Sequence, residues 1–333
     1  MADEPAGRLF ELRRTVLEAP AFRGIEFVEV EARSIINHVP GSYLPFNWTV
    51  NPYRGCSHAC SYCFARVTHT YLDLGAGRDF ETKIYVKVNA PQLLRKELRA
   101  RRWRGEHIAM GTATDPYQRA EGRYRLMPKI IEALAEVRNP FSILTKGTLI
   151  LRDLELLAEA AQVTDVSTAF SIGTLDEEVW RRSEPGTPHP RKRIEAVRRL
   201  NEAGVPCSVL MAPILPGISD DEHQMRAVVE AALAAGAPRV TPILLHLRPV
   251  VRDVYLDWLA REYPDLVALY AEMYPRAYAA KEHQDRLAVT IARLIEQARG
   301  ALGPGGRPTS QPRFGGRRAT GRITPEPRQL SLL

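Results

Sequence analysis

From about residue 105 the chain alternates short, nearly continuous apolar runs with stretches of helical periodicity. The runs are HIAMGTA (107–113), FSILTKG (141–147), DVSTAFSIG (165–173), PCSVLMAPI (206–214) and RVTPILLHL (239–247). Runs that are apolar or small at successive positions predict parallel strands covered on both faces. Between them, Ile130, Leu134 and Val137 keep helical spacing, as do Ile194, Val197 and Leu200. Gly204 then stands where a glycine closes a helix, two residues ahead of Pro206. Upstream, FNWTVNPY (46–53) predicts a sixth strand, and KIYVKVN (83–89) alternates as an extra strand would. Strands and helices alternating at this spacing predict an α/β fold with a parallel sheet or barrel.

The pattern changes after residue 250. Residues 252–300 read as helical and aromatic, with Trp258, Tyr263, Tyr270, Tyr274 and Tyr278; packing helices and a substrate-facing cap both fit. From 301 the Gly, Pro and Arg content rises and apolar periodicity stops, which predicts a disordered tail. The expected organisation is therefore an N-terminal extension (1–44), a core (45–250), a C-terminal helical region (251–300) and a tail (301–333).

A hydrophobic content of 45% with 26% charged residues suffices for a sizeable core in a chain of 333 residues. The charged start MADEPAGRLFELRRTVLEAP has neither the apolar run of a signal peptide nor that of a membrane anchor. No window approaches the roughly 18 apolar residues of a spanning helix. A cytoplasmic protein without a membrane partner is the expectation, and its thiols should stay reduced. The net charge is +7. Residues 301–333 carry six arginines against Glu326 alone, a balance of +5 that leaves +2 for the rest. A second basic knot is RKELRARRWR (95–104). Such patches attract nucleic-acid phosphates, and they also occur as plain solvated surface.

Three of the four cysteines fall within NPYRGCSHACSYCFAR (51–66). Cys56, Cys60 and Cys63 form C-x3-C-x2-C. In a reducing compartment, clustered cysteines signify metal or redox chemistry rather than disulfides. A tetrahedral zinc site needs four ligands, which Cys207 or His58 would have to complete. Three thiolates also suit three irons of a 4Fe–4S cluster, leaving the fourth iron open to a small molecule.

With an aromatic at Tyr62, the motif resembles the signature of the radical S-adenosylmethionine superfamily. Its position after the first core strand, ahead of five more, is similar to that superfamily's partial (β/α)6 barrel, a TIM-like fold. Within it, residues 45–250 resemble the spore-photoproduct-lyase-like group, often labelled "DNA repair photolyase" although it uses no light. The segments that carry this are NPYRGCSHACSYC, GTATDPYQRAE, LTKG, FSIG, SEPGTPHPRKRIEAVRRLNEAG and MAPILPG, in that order.

The resemblance implies a 4Fe–4S cluster on Cys56, Cys60 and Cys63. It also implies S-adenosylmethionine as a second cofactor, cleaved to a 5′-deoxyadenosyl radical that abstracts hydrogen from a substrate. It carries over further cofactor contacts at strand C-termini, where the loops of such a barrel converge. Lys146 would meet the cofactor carboxylate or ribose, Ser171 a ribose hydroxyl, and the Ala212 backbone the adenine. Tyr62 and Phe64 would pack on the adenine, and Thr112 and Asp115 would lie near the amino group. The group's lyase uses a cysteine in the second-strand loop to return hydrogen to its product; by motif order Thr112 stands there, and a hydroxyl cannot replace a thiol as hydrogen donor. Cys207, opening a strand, reads as a small core residue. His246 and Arg248 end the sixth strand and fit either an anionic substrate or a salt bridge.

Three functions remain in view: a radical enzyme acting on DNA or other nucleic acid, one acting on a peptide or small metabolite, and a non-catalytic iron–sulfur protein that binds DNA or senses redox state. The first two need an electron donor, expected to be a small redox protein. The last five residues, Gln329, Leu330, Ser331, Leu332 and Leu333, resemble the pentapeptide by which bacterial proteins bind the sliding clamp.

Overall fold

The computed structural model describes residues 13–16, 22, 24–39 and 45–302; the pentapeptide at 329–333 lies outside them. Among the described residues, eleven strands form two sheets. In chain order they are β1 (Arg13–Val16), β2 (Glu26–Val30), β3 (Ile36–His38), β4 (Trp48–Val50), β5 (Tyr53–Arg54), β6 (Lys83–Lys87), β7 (Ile108–Met110), β8 (Phe141–Thr145), β9 (Val166–Ser171), β10 (Cys207–Ile214) and β11 (Val240–Leu244).

The larger sheet has the order β11-β10-β9-β8-β7-β4-β3. From β4 to β11 all neighbours are parallel, and β3 closes the β4 edge as an antiparallel strand. All five apolar runs from 107 onward supply strands of this sheet, joined by helical crossovers. This is the open, partial (β/α)6 arrangement. Core residues such as Met110, Ile143, Phe170, Val209 and Met211 are almost wholly buried between sheet and helices. Their burial at roughly 25 cal/mol per Å² is what holds the layers together.

FNWTVNPY is not one strand. Pro52 lacks an N–H and cannot continue a central ladder, so the chain leaves the large sheet after Val50 and resumes as β5 in the smaller one. That sheet has the order β1-β2-β6-β5, with β2 parallel to β6 and β5 antiparallel to it. The alternating KIYVKVN is thus a true strand, placed outside the barrel, and the segment before residue 45 supplies strands to both sheets.

The last described helix, Lys281–Leu302, lies against the helix Glu222–Ala234, where Arg293 pairs with Glu222. Of the C-terminal aromatics, Trp258, Tyr270 and Tyr274 are buried together with Tyr255 and with Cys60 and Tyr62 of the cysteine loop. They pack rather than line an open cap. No helix of the described residues is long and apolar enough to cross a membrane.

Candidate active site

Because the strands from β4 to β11 are parallel, the loops after them emerge on one side. The cysteine loop begins there, beyond β5. It has few hydrogen bonds of its own and is seated by its neighbours, as buried backbone requires. Cys56 N–H donates to Phe80 O (2.9 Å), and Ser61 N–H to Ser183 O (2.9 Å). Ser57 N–H donates to Gln118 Oε1 (3.0 Å). Gly55 O accepts from Thr114 Oγ1 (2.6 Å) and Gln118 Nε2 (2.8 Å). Arg66, itself 1% exposed, reaches back with Nε and Nη2 to Cys60 O (3.1 and 2.8 Å) and pairs with Glu81.

Cys56 and Cys60 are buried and Cys63 is partly buried; all are free thiols. Burial pushes each thiol above its ordinary value, Cys60 to about 12. For Cys56, the charges of Asp115, Cys63 and Cys60 push further in the same direction. Three clustered thiols whose ionisation burial disfavours are a donor set that a bound polycationic group would relieve, since ligation requires thiolates. Among the described residues no three acidic, His or Cys side chains converge as ligands of a single metal ion. A cluster asks less, because each thiolate takes its own iron. The two candidate fourth ligands for zinc are elsewhere: His58 Nδ1 faces Asp115 Oδ2 at 3.3 Å, and Cys207 opens β10 at the far end of the sheet, fully buried in the core. The residues fit a three-thiolate iron–sulfur cluster.

Beside the loop, the ends of three strands meet. Lys146 follows β8, Ser171 ends β9 and Ala212 lies near the end of β10. Lys146 Nζ donates to Ser171 Oγ (2.6 Å) and to Glu184 Oε1 (3.1 Å), and lies 5.6 Å from the centre of the Tyr62 ring. Ser171 Oγ donates in turn to Ala212 O (2.6 Å). Tyr62 is buried with its hydroxyl on Glu184 Oε1, whereas Phe64, two residues on, is 57% exposed. Tyr62, Lys146, Ser171 and Ala212 therefore form one connected group, and Phe64 stands apart from it.

Asp115 is engaged on both oxygens by protein donors. Its Oδ1 accepts from Thr145 Oγ1 (2.6 Å) and Tyr117 N–H (2.8 Å), and its Oδ2 from Lys146 N–H (2.7 Å) and His58. A carboxylate has about four acceptor sites, and all are filled. Burial raises this carboxyl, but His58 and the donated hydrogen bonds outweigh it and hold it below the ordinary carboxylate range. Asp115 pins the loop after β8 to the cysteine loop. Thr112 is equally committed, exchanging hydrogen bonds with the Asn51 side chain.

His246 and Arg248 make no salt bridge with each other's neighbours among the described residues. The His246 ring lies 4.7 Å from that of Tyr278, and Arg248 Nη2 donates to the Tyr278 hydroxyl (2.9 Å). Sequence reasoning gave no role to Glu184, Arg193 or Gln118. Glu184 and Arg193 do fall within SEPGTPHPRKR, where an acid and a base flank a Pro-Gly turn; nothing local reveals that both are buried.

A model of the radical SAM superfamily matches residues 50–228, more than half of the chain. An uncharacterized protein of Mycobacterium tuberculosis is 50% identical over 285 residues, covering 85% of this chain and 84% of its own. An uncharacterized protein of Methanocaldococcus jannaschii is 29% identical over 202 residues, 60% of this chain and 71% of that one. Among solved structures, spore photoproduct lyase complexed with dinucleoside spore photoproduct superposes with a TM-score of 0.62 at 18% identity, covering 84% of this chain and 80% of that one. A variant of that lyase with bound AdoMet and the same dinucleoside gives 0.60 at 17%, with the same coverage. At such identities the likeness to the lyase is one of fold. The family match, lying over the cysteine loop and the strands that face it, shows that the chain belongs to the radical SAM superfamily, whose members are implied to use a 4Fe–4S cluster and S-adenosylmethionine.

Proposed function

We propose that Cys56, Cys60 and Cys63 hold a 4Fe–4S cluster on which S-adenosylmethionine is cleaved, and that the radical produced takes hydrogen from damaged or modified nucleic acid. The observation that carries this reading is the single hydrogen-bonded group of Tyr62, Lys146, Ser171 and Ala212 beside the three thiols. When bound, the two cofactors supply the electron and the 5′-deoxyadenosyl radical. The chain supplies orientation and dryness. Lys146 presents an ammonium to the cofactor carboxylate. Ser171 offers its hydroxyl to the ribose, and the backbone at Ala212 lies where it would meet the adenine.

Two features favour nucleic acid as substrate. The solved lyase of like fold carries a dinucleoside lesion. In the basic knot, Arg95 and Arg99 are paired with Glu132 and Glu136, but Arg101, Arg102 and Arg104 are exposed without an ion pair among the described residues. Such cations suit a phosphate backbone. The hydrogen return differs from a thiol-based one: Thr112 is bound to Asn51, and Cys207 is closed off in the core.

Anaerobically reconstituted protein given dithionite and S-adenosylmethionine should release 5′-deoxyadenosine, and deuterium should pass into it from a labelled damaged oligonucleotide. Release without any transfer from DNA or RNA substrates would remove the nucleic-acid assignment. Lys146→Ala and Ser171→Ala should keep their iron but bind S-adenosylmethionine more weakly by about 1.5–3 kcal/mol, one to two decades, the size of a lost charge-assisted hydrogen bond. Unchanged affinity in both would place the cofactor elsewhere.

The terminal Gln329–Leu333 would bring the enzyme to replicating DNA if it binds the sliding clamp, with Leu332 and Leu333 filling an apolar pocket. A labelled 320–333 peptide is expected to bind purified clamp with a Kd of ~μM, as short segments that order on binding do. Absence of binding at about 100 μM clamp would dismiss this partner.

A further inference from the structure

Glu184 is a fully engaged acceptor beside the cysteine loop. Its Oε1 takes the Tyr62 hydroxyl and Lys146 Nζ; its Oε2 pairs with Arg193 Nη2 and lies 3.3 Å from Thr187 Oγ1. The side chains of Glu184 and Arg193 are 5% and 1% exposed. Arg193 is fixed independently, with Nε on Pro188 O (2.8 Å) and Nη1 on Ser171 O (3.1 Å). Two cations, Arg193 and Lys146, thus meet the one Glu184 carboxylate, while Asp115 is engaged with the Lys146 backbone N–H and not its ammonium. Arg193 neutralises Glu184, and the Lys146 ammonium is the cation that an incoming carboxylate would meet.

A lysine carries its ammonium on a flexible four-carbon stem, and fixing it costs rotamer entropy. Here the protein itself supplies the contacts that fix it. Lys146, 12% exposed, is held between Glu184, Ser171 and the Tyr62 ring. We propose that Glu184, anchored by Arg193, is a positioning residue that holds Lys146 and Tyr62 ready for the carboxylate of S-adenosylmethionine. This rests on the reading that Lys146 meets that carboxylate. Burial by itself would neutralise Glu184, but Arg193, Lys146 and the hydrogen bonds to it outweigh burial and bring it down to about 2, so the anion is present at any working pH. Without the anion, Arg193 would repel Lys146, whose ammonium would swing toward solvent. A purely structural Glu184–Arg193 pair would need neither Lys146 nor Tyr62 on the same oxygen.

The test is a mutant cycle read by equilibrium binding and iron content, without turnover. Glu184→Gln, Lys146→Met and the double variant are reconstituted anaerobically, and iron per chain, thermal midpoint and the Kd for S-adenosylmethionine are measured. Glu184→Gln should keep its iron and weaken binding about ten- to hundredfold, and the double variant should bind no more weakly than Lys146→Met, because Glu184 acts through Lys146. Glu184→Gln with Arg193→Met leaves no unpaired Arg193 in the core and should likewise keep iron and lose affinity. Additive losses, unchanged or tighter binding in Glu184→Gln, or loss of iron in both Glu184 variants would overturn the positioning role. Normal affinity in Lys146→Met would instead overturn the underlying assignment of Lys146.

Discussion

Replacing any one of Cys56, Cys60 or Cys63 with alanine is expected to abolish iron retention and with it all cleavage of S-adenosylmethionine. Each thiolate would hold a separate iron, so no remaining side chain can stand in for a missing one: His58 is turned to Asp115 and Cys207 lies at the far end of β10. A cluster with two open corners is exposed to solvent and dissociates. The buried thiols left behind revert to their protonated forms, because burial has raised them all. Cys207→Ala is the matched control. It removes a small, fully buried side chain and should cost about 1–2 kcal/mol of stability with iron and sulfide content unchanged. Both are read by iron and sulfide analysis and by the visible absorbance of the reconstituted protein. Full iron in a variant with Cys56, Cys60 and Cys63 all replaced by alanine, or zinc in anaerobically purified protein, would end the cluster assignment.

Gly186→Ala should be nearly as damaging, though residue 186 has no side chain to offer a cofactor. Gly186 N–H donates to His58 O (3.0 Å), bringing two backbones close together. A Cβ there would lie 2.1 Å from Ser57 O and 2.9 Å from His58 C and Cα. These are backbone atoms and cannot rotate away, so either the cysteine loop or the 184–187 turn must move by about 1 Å, a displacement comparable with those that cost an active site about 10²-fold. Either movement separates the thiols from Glu184 and its partners. The large sheet lies elsewhere and should still form, so the expected result is a folded chain with iron loading reduced several-fold and weakened S-adenosylmethionine binding. Gly204→Ala serves as the comparison. Its φ of +78° makes alanine strained, but no atom lies within 4 Å of the new methyl; it should lose about 1 kcal/mol of stability and no iron. Wild-type iron and affinity in Gly186→Ala would show that the loop does not depend on this seat.

Local pattern alone determined the five parallel strands β7 to β11 of the large sheet, though not β3, because a strand covered on both faces must be apolar at successive positions wherever it lies in the sequence. It also determined the clustering of the three thiols proposed as donors, since C-x3-C-x2-C places them within one loop. FNWTVNPY read as one strand, whereas the chain breaks at Pro52, which has no N–H to donate, and β5 joins a different sheet. Tertiary structure decided what each polar side chain is for. Tyr62 and Phe64 look alike in sequence, yet one is buried on Glu184 and the other is exposed. Asp115 looked available, until Thr145, Tyr117, Lys146 and His58 filled its oxygens. Glu184 meets Lys146 from 38 positions away and Tyr62 from 122. Backbone pattern is set by neighbours within a few residues, whereas a buried charge is set by whichever partners the crossovers deliver to it, and in a parallel sheet those come from strands far apart in the chain.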